Sequence, residues 1–245
     1  MKTKLPNSIG DDVDMSDAAD YGYVADNVKR ILSEIGETEE KYRRTSGNVR
    51  LMAVTKTVPP EAVNAAVRAG VKLLGENRVQ EYLDKKDAYL PEAEVQFIGR
   101  LQTNKVKYII NSVTLIHSVD SVKLCGEISR LAVKNNKVMD ILAEVNIGGE
   151  ESKGGVSPET LRDFIAEVSE MEGIRFRGLM TIPPPGCSEE CFEKMQRIFT
   201  DVQDRYKTAD ILSMGMSADY KLAVKYGSTI VRVGTGIFGA RTYNK

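Results

Sequence analysis

The chain has 245 residues, with 34 basic and 35 acidic side chains and a formal net charge of −1. At 42% hydrophobic and 28% charged it has the make-up of an average globular protein. That balance leaves no basic excess for displacing counterions from nucleic-acid phosphates, and no apolar run approaches the ~20 residues a membrane helix needs. Residues 1–20 are polar and carry five aspartates, with no apolar stretch of signal-peptide length. They read as a flexible acidic arm preceding one domain over residues 21–245. A helix is predicted from Tyr21 to Arg44, where Val24, Val28, Ile31 and Ile35 make one apolar stripe and Gly36 weakens the middle.

From residue 49 short apolar runs alternate with amphipathic segments. The runs are 51–54, 71–74, 95–98, 114–117, 141–147, 174–182, 211–214 and 229–233. Their near-continuous apolarity suits strands buried on both faces of a parallel sheet. Between them, Pro60 to Gly70 and Asp219 to Gly227 read as short helices. Ser157-Pro158-Glu159 reads as a helix start, with Gly173 as that element's stop, and Ser188-Glu189-Glu190 opens another helix. Eight strand–helix alternations predict an α/β fold, a (β/α)8 TIM barrel with an extra N-terminal helix. An open doubly wound sheet is the alternative. It lacks its glycine fingerprint, because the first turn reads Thr55-Lys56-Thr57-Val58-Pro59-Pro60. Gly234-Thr235-Gly236-Ile237-Phe238-Gly239 has the fingerprint's spacing but follows the last strand, so that signal is weak.

In a barrel the carboxyl ends of the strands carry the chemistry. The loops after strands seven and eight hold Ser217 and Gly234-Thr235-Gly236. Together they would offer amides and hydroxyls to a phosphate; the bland reading is a glycine turn that closes the barrel. Lys56 directly follows the first strand. Desolvation there would free its amine as a nucleophile toward aldehydes, and a lysine snorkelling out of the mouth is the alternative. Lysine and phosphate cradle together point to a phosphorylated aldehyde held as an imine, with pyridoxal 5′-phosphate the obvious member. Arg232 alternates out of an apolar strand between Val231 and Val233, which aims it inward; a structural ion pair is the other reading. A pyridine nitrogen facing an arginine cannot easily hold a proton, which makes the cofactor a poorer electron sink. His117, the chain's single histidine, ends the fourth run and reads as a packing residue. Cys125, Cys187 and Cys191 are too sparse for a disulfide framework and point to a reducing compartment, the cytoplasm; with one histidine, no metal site is expected.

Several segments together resemble the pyridoxal phosphate homeostasis protein family, and more distantly the alanine racemase N-terminal domain. They are Ala53-Val54-Thr55-Lys56, Gly75-Glu76-Asn77, Val79-Gln80-Glu81, Phe97 to Lys105, Arg177 to Pro183, Gly215-Met216-Ser217 and Val231 to Gly239. The resemblance covers residues 22–242 and implies a barrel that binds pyridoxal 5′-phosphate (PLP). It implies the internal aldimine on Lys56, phosphate contacts from Ser217, Gly234 and Thr235, Arg232 at the pyridine nitrogen and Asn77 near the ring. Gly236 joins the cradle by its place in the loop. The implied role is PLP (vitamin B6) homeostasis without established catalytic turnover, possible delivery to PLP-dependent apoenzymes, and a monomer or weak dimer. Two positions depart from the family pattern: Gln96, where many relatives carry histidine, and Arg100. The competing function is an amino-acid racemase, which needs a second base on the cofactor's other face. Tyr108, Tyr220 and Tyr226 all fall in predicted helices, and the chain ends at Lys245 without the β-rich domain that supports such a base in racemases. The carrier reading leads.

Overall fold

The computed structural model describes residues 21–43, 47–150 and 154–240. The expected acidic arm, residues 1–20, lies outside the described residues, as does Arg44 at the end of the first predicted helix.

Eight parallel strands close into a barrel in sequence order. They are β1 (Arg50–Val54), β2 (Leu73–Glu76), β3 (Glu94–Phe97), β4 (Leu115–Val119), β5 (Met139–Val145), β6 (Ile174–Thr181), β7 (Ile211–Ser213) and β8 (Ile230–Val233). Closure is made by β1, which pairs with β2 on one side and β8 on the other. This excludes the open doubly wound sheet. The helices are α1 (Gly22–Arg43), α2 (Pro60–Arg68), α3 (Val79–Lys85), α4 (Val106–Ile109), α5 (Val122–Lys134), α6 (Leu161–Ser169), α7 (Ser188–Arg205), α8 (Tyr220–Lys225) and α9 (Thr235–Phe238).

Side-chain alternation divides each strand between two cores. On β1, Leu51 and Ala53 pack outward in the same core as Val63 of α2, Val224 of α8 and Ile237 of α9. Met52 and Val54 point inward and form an interior cluster with Leu73, Ile98 and Ile230. Leu115, Leu142 and Met180 fill the opposite side of the lumen. Side chains therefore fill the barrel's middle.

The stripe predicted on α1 is buried in full, at Val24, Val28, Ile31 and Ile35. Four aliphatic side chains at about 1.5–3 kcal/mol each outweigh the ~1 kcal/mol penalty of a mid-helix glycine, so Gly36 does not interrupt the helix. Asn27 Nδ2 donates to Ile237 O at 3.0 Å and ties α1 to α9. None of the described helices is long and apolar enough to cross a membrane.

Three expectations are corrected. Ser157 does not start a helix: its Oγ accepts from Thr160 N at 3.3 Å to close a single turn, and α6 begins at Leu161. Gly173 does not stop α6, which ends at Ser169. It sits at φ +73° ahead of β6, where its carbonyl accepts from Met139 N. His117 does not end its strand, because β4 runs on to Val119.

Candidate functional site

The turn after β1 carries Lys56. Thr55 is buried and faces outward, donating from Oγ1 to Glu76 Oε1 at 2.7 Å and to Gly75 O at 3.2 Å. Lys56, one residue on, stands in the turn, and its side chain is half-buried. Thr57 takes φ +60°, a costly conformation for a β-branched residue. The strain is held from behind by α3. The Glu81 carboxylate accepts from Thr57 N, and Lys85 Nζ donates to Thr55 O and Val58 O at 3.0 Å each and to Glu81 Oε1 at 2.7 Å. Burial works to raise the Glu81 carboxyl. Hydrogen bonds from Lys85 and Thr57 and the charges of Lys85 and Arg78 outweigh it and hold the group below the usual range. Glu76 is fully buried; desolvation raises its carboxyl despite hydrogen bonds from Tyr89 and Thr55.

Asn77 follows β2, the strand beside β1. Its Oδ1 is buried with no hydrogen-bond partner. Its backbone lies so close to the β3 loop that a Cβ on Gly99 would fall 2.1 Å from Asn77 O, which only glycine permits.

On the other flank of β1, Ala53 pairs with Val233, so Gly234 to Gly236 emerge beside the Lys56 turn. The loop after β7 meets them: Ser217 Oγ accepts from Gly234 N at 3.3 Å and from Gly236 N at 3.1 Å. Gly215, at φ +89°, brings that loop into place, since a Cβ there would lie 2.4 Å from Ala223 Cβ. Thr235 is exposed at the same corner. Beneath it Arg232 is fully inside the barrel, donating from Nη1 to Ser213 Oγ at 2.7 Å and from Nη2 to Thr181 O at 2.8 Å. Burial pulls its pKa down to about 10, against the attraction of Glu144 and Asp219. The structural ion pair weighed from sequence is not found for this guanidinium among the described residues.

Two cavities flank these groups. One of about 790 Å³ opens beside Asn77 and is lined by Arg78, Arg100, Lys105 and Asp120. Another of about 430 Å³ reaches Ser217 and Gly236 from outside, between Arg30 and Glu34 of α1 and Lys221 of α8.

All seven sequence-nominated residues lie on the carboxyl ends of the neighbouring strands β7, β8, β1 and β2 or in the loops that follow. Of these, Ser217, Gly234 and Gly236 are joined by direct hydrogen bonds. Sequence reasoning missed Glu144. It follows the inward parity of Leu142 on β5, is half-buried, and has its pKa pushed up to about 7 by burial and by the charge of Asp120, against the pull of Arg232 and Arg100. The signal was legible: one carboxylate at an inward position of a mostly apolar run. Ser213 was missed as well, a lone hydroxyl in the seventh run.

A family model described as the alanine racemase N-terminal domain matches residues 32–242. A pyridoxal phosphate homeostasis protein of Aquifex aeolicus is 45% identical over 224 residues, covering 89% of this chain and 98% of the relative. The chain belongs to the pyridoxal phosphate homeostasis protein family. Among solved structures, an unknown protein from Bifidobacterium adolescentis superposes with a TM-score of 0.84 at 35% identity, over 95% of this chain and 98% of that one. Another family member, PipY of Synechococcus elongatus, solved with PLP bound, superposes with a TM-score of 0.73 at 32% identity over 84% of this chain and 100% of that one. An alanine racemase of Clostridium difficile shares the fold, with a TM-score of 0.70 at 16% identity.

Proposed function

We propose that the chain binds pyridoxal 5′-phosphate and serves PLP (vitamin B6) homeostasis as a carrier, without catalytic turnover of its own. Lys56 is the amine that holds the aldehyde carbon. Ser217, Gly234, Thr235 and Gly236 take the phosphate, Arg232 faces the pyridine nitrogen and Asn77 lies beside the ring. The observation that carries this reading is the Ser217 hydroxyl drawn onto the amides of Gly234 and Gly236, next to the Lys56 turn. Two amides converging on one oxygen are the donor set an anionic oxygen would use. The buried, unpartnered Asn77 Oδ1 supports the same assignment, since it is a polar atom awaiting a partner. PLP bound to PipY and the names of the relatives agree with it. When bound, the cofactor supplies an electrophilic carbon and a conjugated ring, and Arg232 disfavours a proton on that ring.

The carrier reading is favoured over a racemase by where the tyrosines go. Tyr220 gives its hydroxyl to Glu34 of α1, Tyr226 gives its own to Glu189 of α7 at 2.9 Å, and Tyr108 lies on α4 against Lys105 and Lys107. None of the three is placed as a second base. We extend the reading to a monomer or weak dimer acting in the cytoplasm, with PLP-dependent apoenzymes as recipients.

The purified protein should be yellow, and borohydride reduction followed by peptide mapping should place the label on Lys56. A label on another lysine refutes the assignment. Incubation with L-alanine in heavy water should give no enzyme-rate deuterium exchange at Cα; rapid exchange with racemisation restores the enzyme reading.

A further inference from the structure

The barrel lumen holds a line of polar side chains that, beyond Arg232, the cofactor contacts do not use. It starts at Arg232 and ends at the opposite mouth on Glu94. Arg232 Nη1 donates to Ser213 Oγ at 2.7 Å, and Ser213 Oγ lies 3.0 Å from His117 Nδ1. His117 Nε2 lies 2.7 Å from Gln96 Oε1, and Gln96 Nε2 donates to Glu94 Oε1 at 2.9 Å. At the far end Thr114 Oγ1 donates to the same carboxylate oxygen at 2.6 Å, and Arg50 Nη2 donates to the other at 2.7 Å. Gln96, His117, Ser213 and Arg232 are all buried.

Donor and acceptor inventories fix the direction of every link. Arginine only donates, so Ser213 Oγ must accept from it. The Glu94 carboxylate only accepts, so Gln96 gives it the NH2 and turns Oε1 to His117 Nε2–H, which leaves His117 Nδ1 to accept the Ser213 proton. His117 Nδ1 is then an acceptor and the ring's proton sits on Nε2, where it needs an acceptor in Gln96 Oε1. Turning the Gln96 amide over would set its NH2 against Nε2–H and its carbonyl against the Glu94 carboxylate, two repulsive contacts. Only one arrangement satisfies all the groups, and it runs one way from the guanidinium to the carboxylate. Burial, then the Arg232 charge, holds the His117 pKa well below its ordinary value, in keeping with a neutral ring.

We propose that Ser213, His117 and Gln96 are positioning residues for Arg232: the one-way hydrogen-bond chain through the barrel axis fixes where the guanidinium stands beneath the cofactor ring. The inference rests on the reading that Arg232 faces the pyridine nitrogen. An arginine side chain has several soft torsions, and the two acceptors Ser213 Oγ and Thr181 O leave it one position. With the ring proton on Nε2, His117 takes the Ser213 proton and leaves that oxygen's lone pairs to Arg232; a ring protonated on Nδ1 would donate to the same oxygen and compete with the guanidinium. Gln96 therefore acts on the cofactor's partner across two intervening residues.

His117 is the only histidine in the chain, so ¹⁵N-histidine NMR of the ligand-free protein reads a single ring. The expected signal is the neutral Nε2–H form, unchanged across neutral pH. A majority Nδ1–H form or an imidazolium overturns the chain's direction and with it the proposal. PLP affinity and the absorption maximum of the bound cofactor are then compared in Gln96→Leu and Gln96→His. Leucine removes the acceptor for Nε2–H. Histidine keeps it, with one ring nitrogen to accept and the other N–H to face Glu94. Gln96→Leu should lose the single tautomer, bind PLP about tenfold or more weakly and shift the absorption maximum; Gln96→His should come back to within about threefold of wild type. A folded Gln96→Leu with wild-type affinity and spectrum refutes the proposal, because a merely structural link would change only the melting temperature. Should Gln96→Leu not fold, Ser213→Ala, a smaller deletion, is read with the same outcomes. Wild-type protein that shows the expected His117 signal but does not bind PLP overturns the cofactor reading, and the positioning role with it, while leaving the chain's direction standing.

Discussion

Glu144→Gln tests the electrostatics of the barrel mouth without any ligand. Glu144 points into the lumen from β5, and its pKa is raised from 4.5 to about 7 chiefly by burial and then by Asp120. The native state therefore keeps a proton that the unfolded chain releases near pH 4.5. Stability from this group is present in full below that pH and is lost as pH rises through about 7. At 1.36 kcal/mol for each pH unit between the two values, the carboxylate costs the folded protein up to about 3 kcal/mol above neutrality, a ceiling because the side chain is only half-buried. Glutamine has nearly the same shape and no charge. Urea unfolding of ligand-free wild type and variant should give equal stabilities at pH 4.5, and a variant more stable by up to about 3 kcal/mol at pH 8. Titrating groups that do not interact with Glu144 cancel in the difference. A difference that does not change with pH, or a variant less stable at pH 8, refutes this account of the mouth.

Ser217→Ala with Thr235→Ala should weaken binding of PLP by about 100-fold or more, at roughly 1.5–3 kcal/mol for each of the two hydrogen bonds to a charged group. Binding of unphosphorylated pyridoxal should change little; equal losses for both ligands, measured by titration, count against the cradle. Lys85→Met should destabilise the protein by about 2–4 kcal/mol in urea unfolding, since it removes three hydrogen bonds and leaves Glu81 without its cation. It should also slow attachment of PLP at Lys56, by freeing a turn that contains Thr57 at positive φ. Attachment at the wild-type rate would show that the Lys56 turn does not need α3.

The strand pattern was legible because a barrel strand is covered on both faces and so reads as an unbroken apolar run. Each of the eight runs is a strand, with no end moved by more than two residues. The second run shifts bodily by two: Val71–Leu74 becomes β2 at Leu73–Glu76. A charged residue ends an apolar run on paper, yet Glu76 is buried in the wall by Thr55 and Tyr89, a compensation made across 21 and 13 residues and invisible locally. The raised pKa of Glu144 is a distance effect of the same kind: it comes from burial in the lumen and the charge of Asp120, against the pull of Arg232. The nominated site residues were legible for the opposite reason. Lys56, Asn77, Ser217 and Gly234 all stand within four residues past a strand, so chain position alone places them on the carboxyl-end face.

His117 shows where pattern reading stops. From the sequence it is a lone histidine in an apolar run, and packing is the better inference. In the structure it is indeed buried, but packing is only half of its environment. Both ring nitrogens are engaged, one by Ser213 and one by Gln96, and the residue on the far side of Ser213 is the arginine assigned to the cofactor ring. A buried imidazole flanked by apolar neighbours alone would leave two polar atoms unsatisfied, at about 1–3 kcal/mol each. Here both are satisfied by residues that have no other reason to be polar inside a packed barrel. Ser213 and Gln96 are the inward residues of β7 and β3, positions that elsewhere in the lumen hold Met52, Leu115 and Met180. Polar residues at such positions are retained at a cost in burial. The cost is offset where they fix a charged group in one place, and Arg232 is the charged group that Ser213 holds.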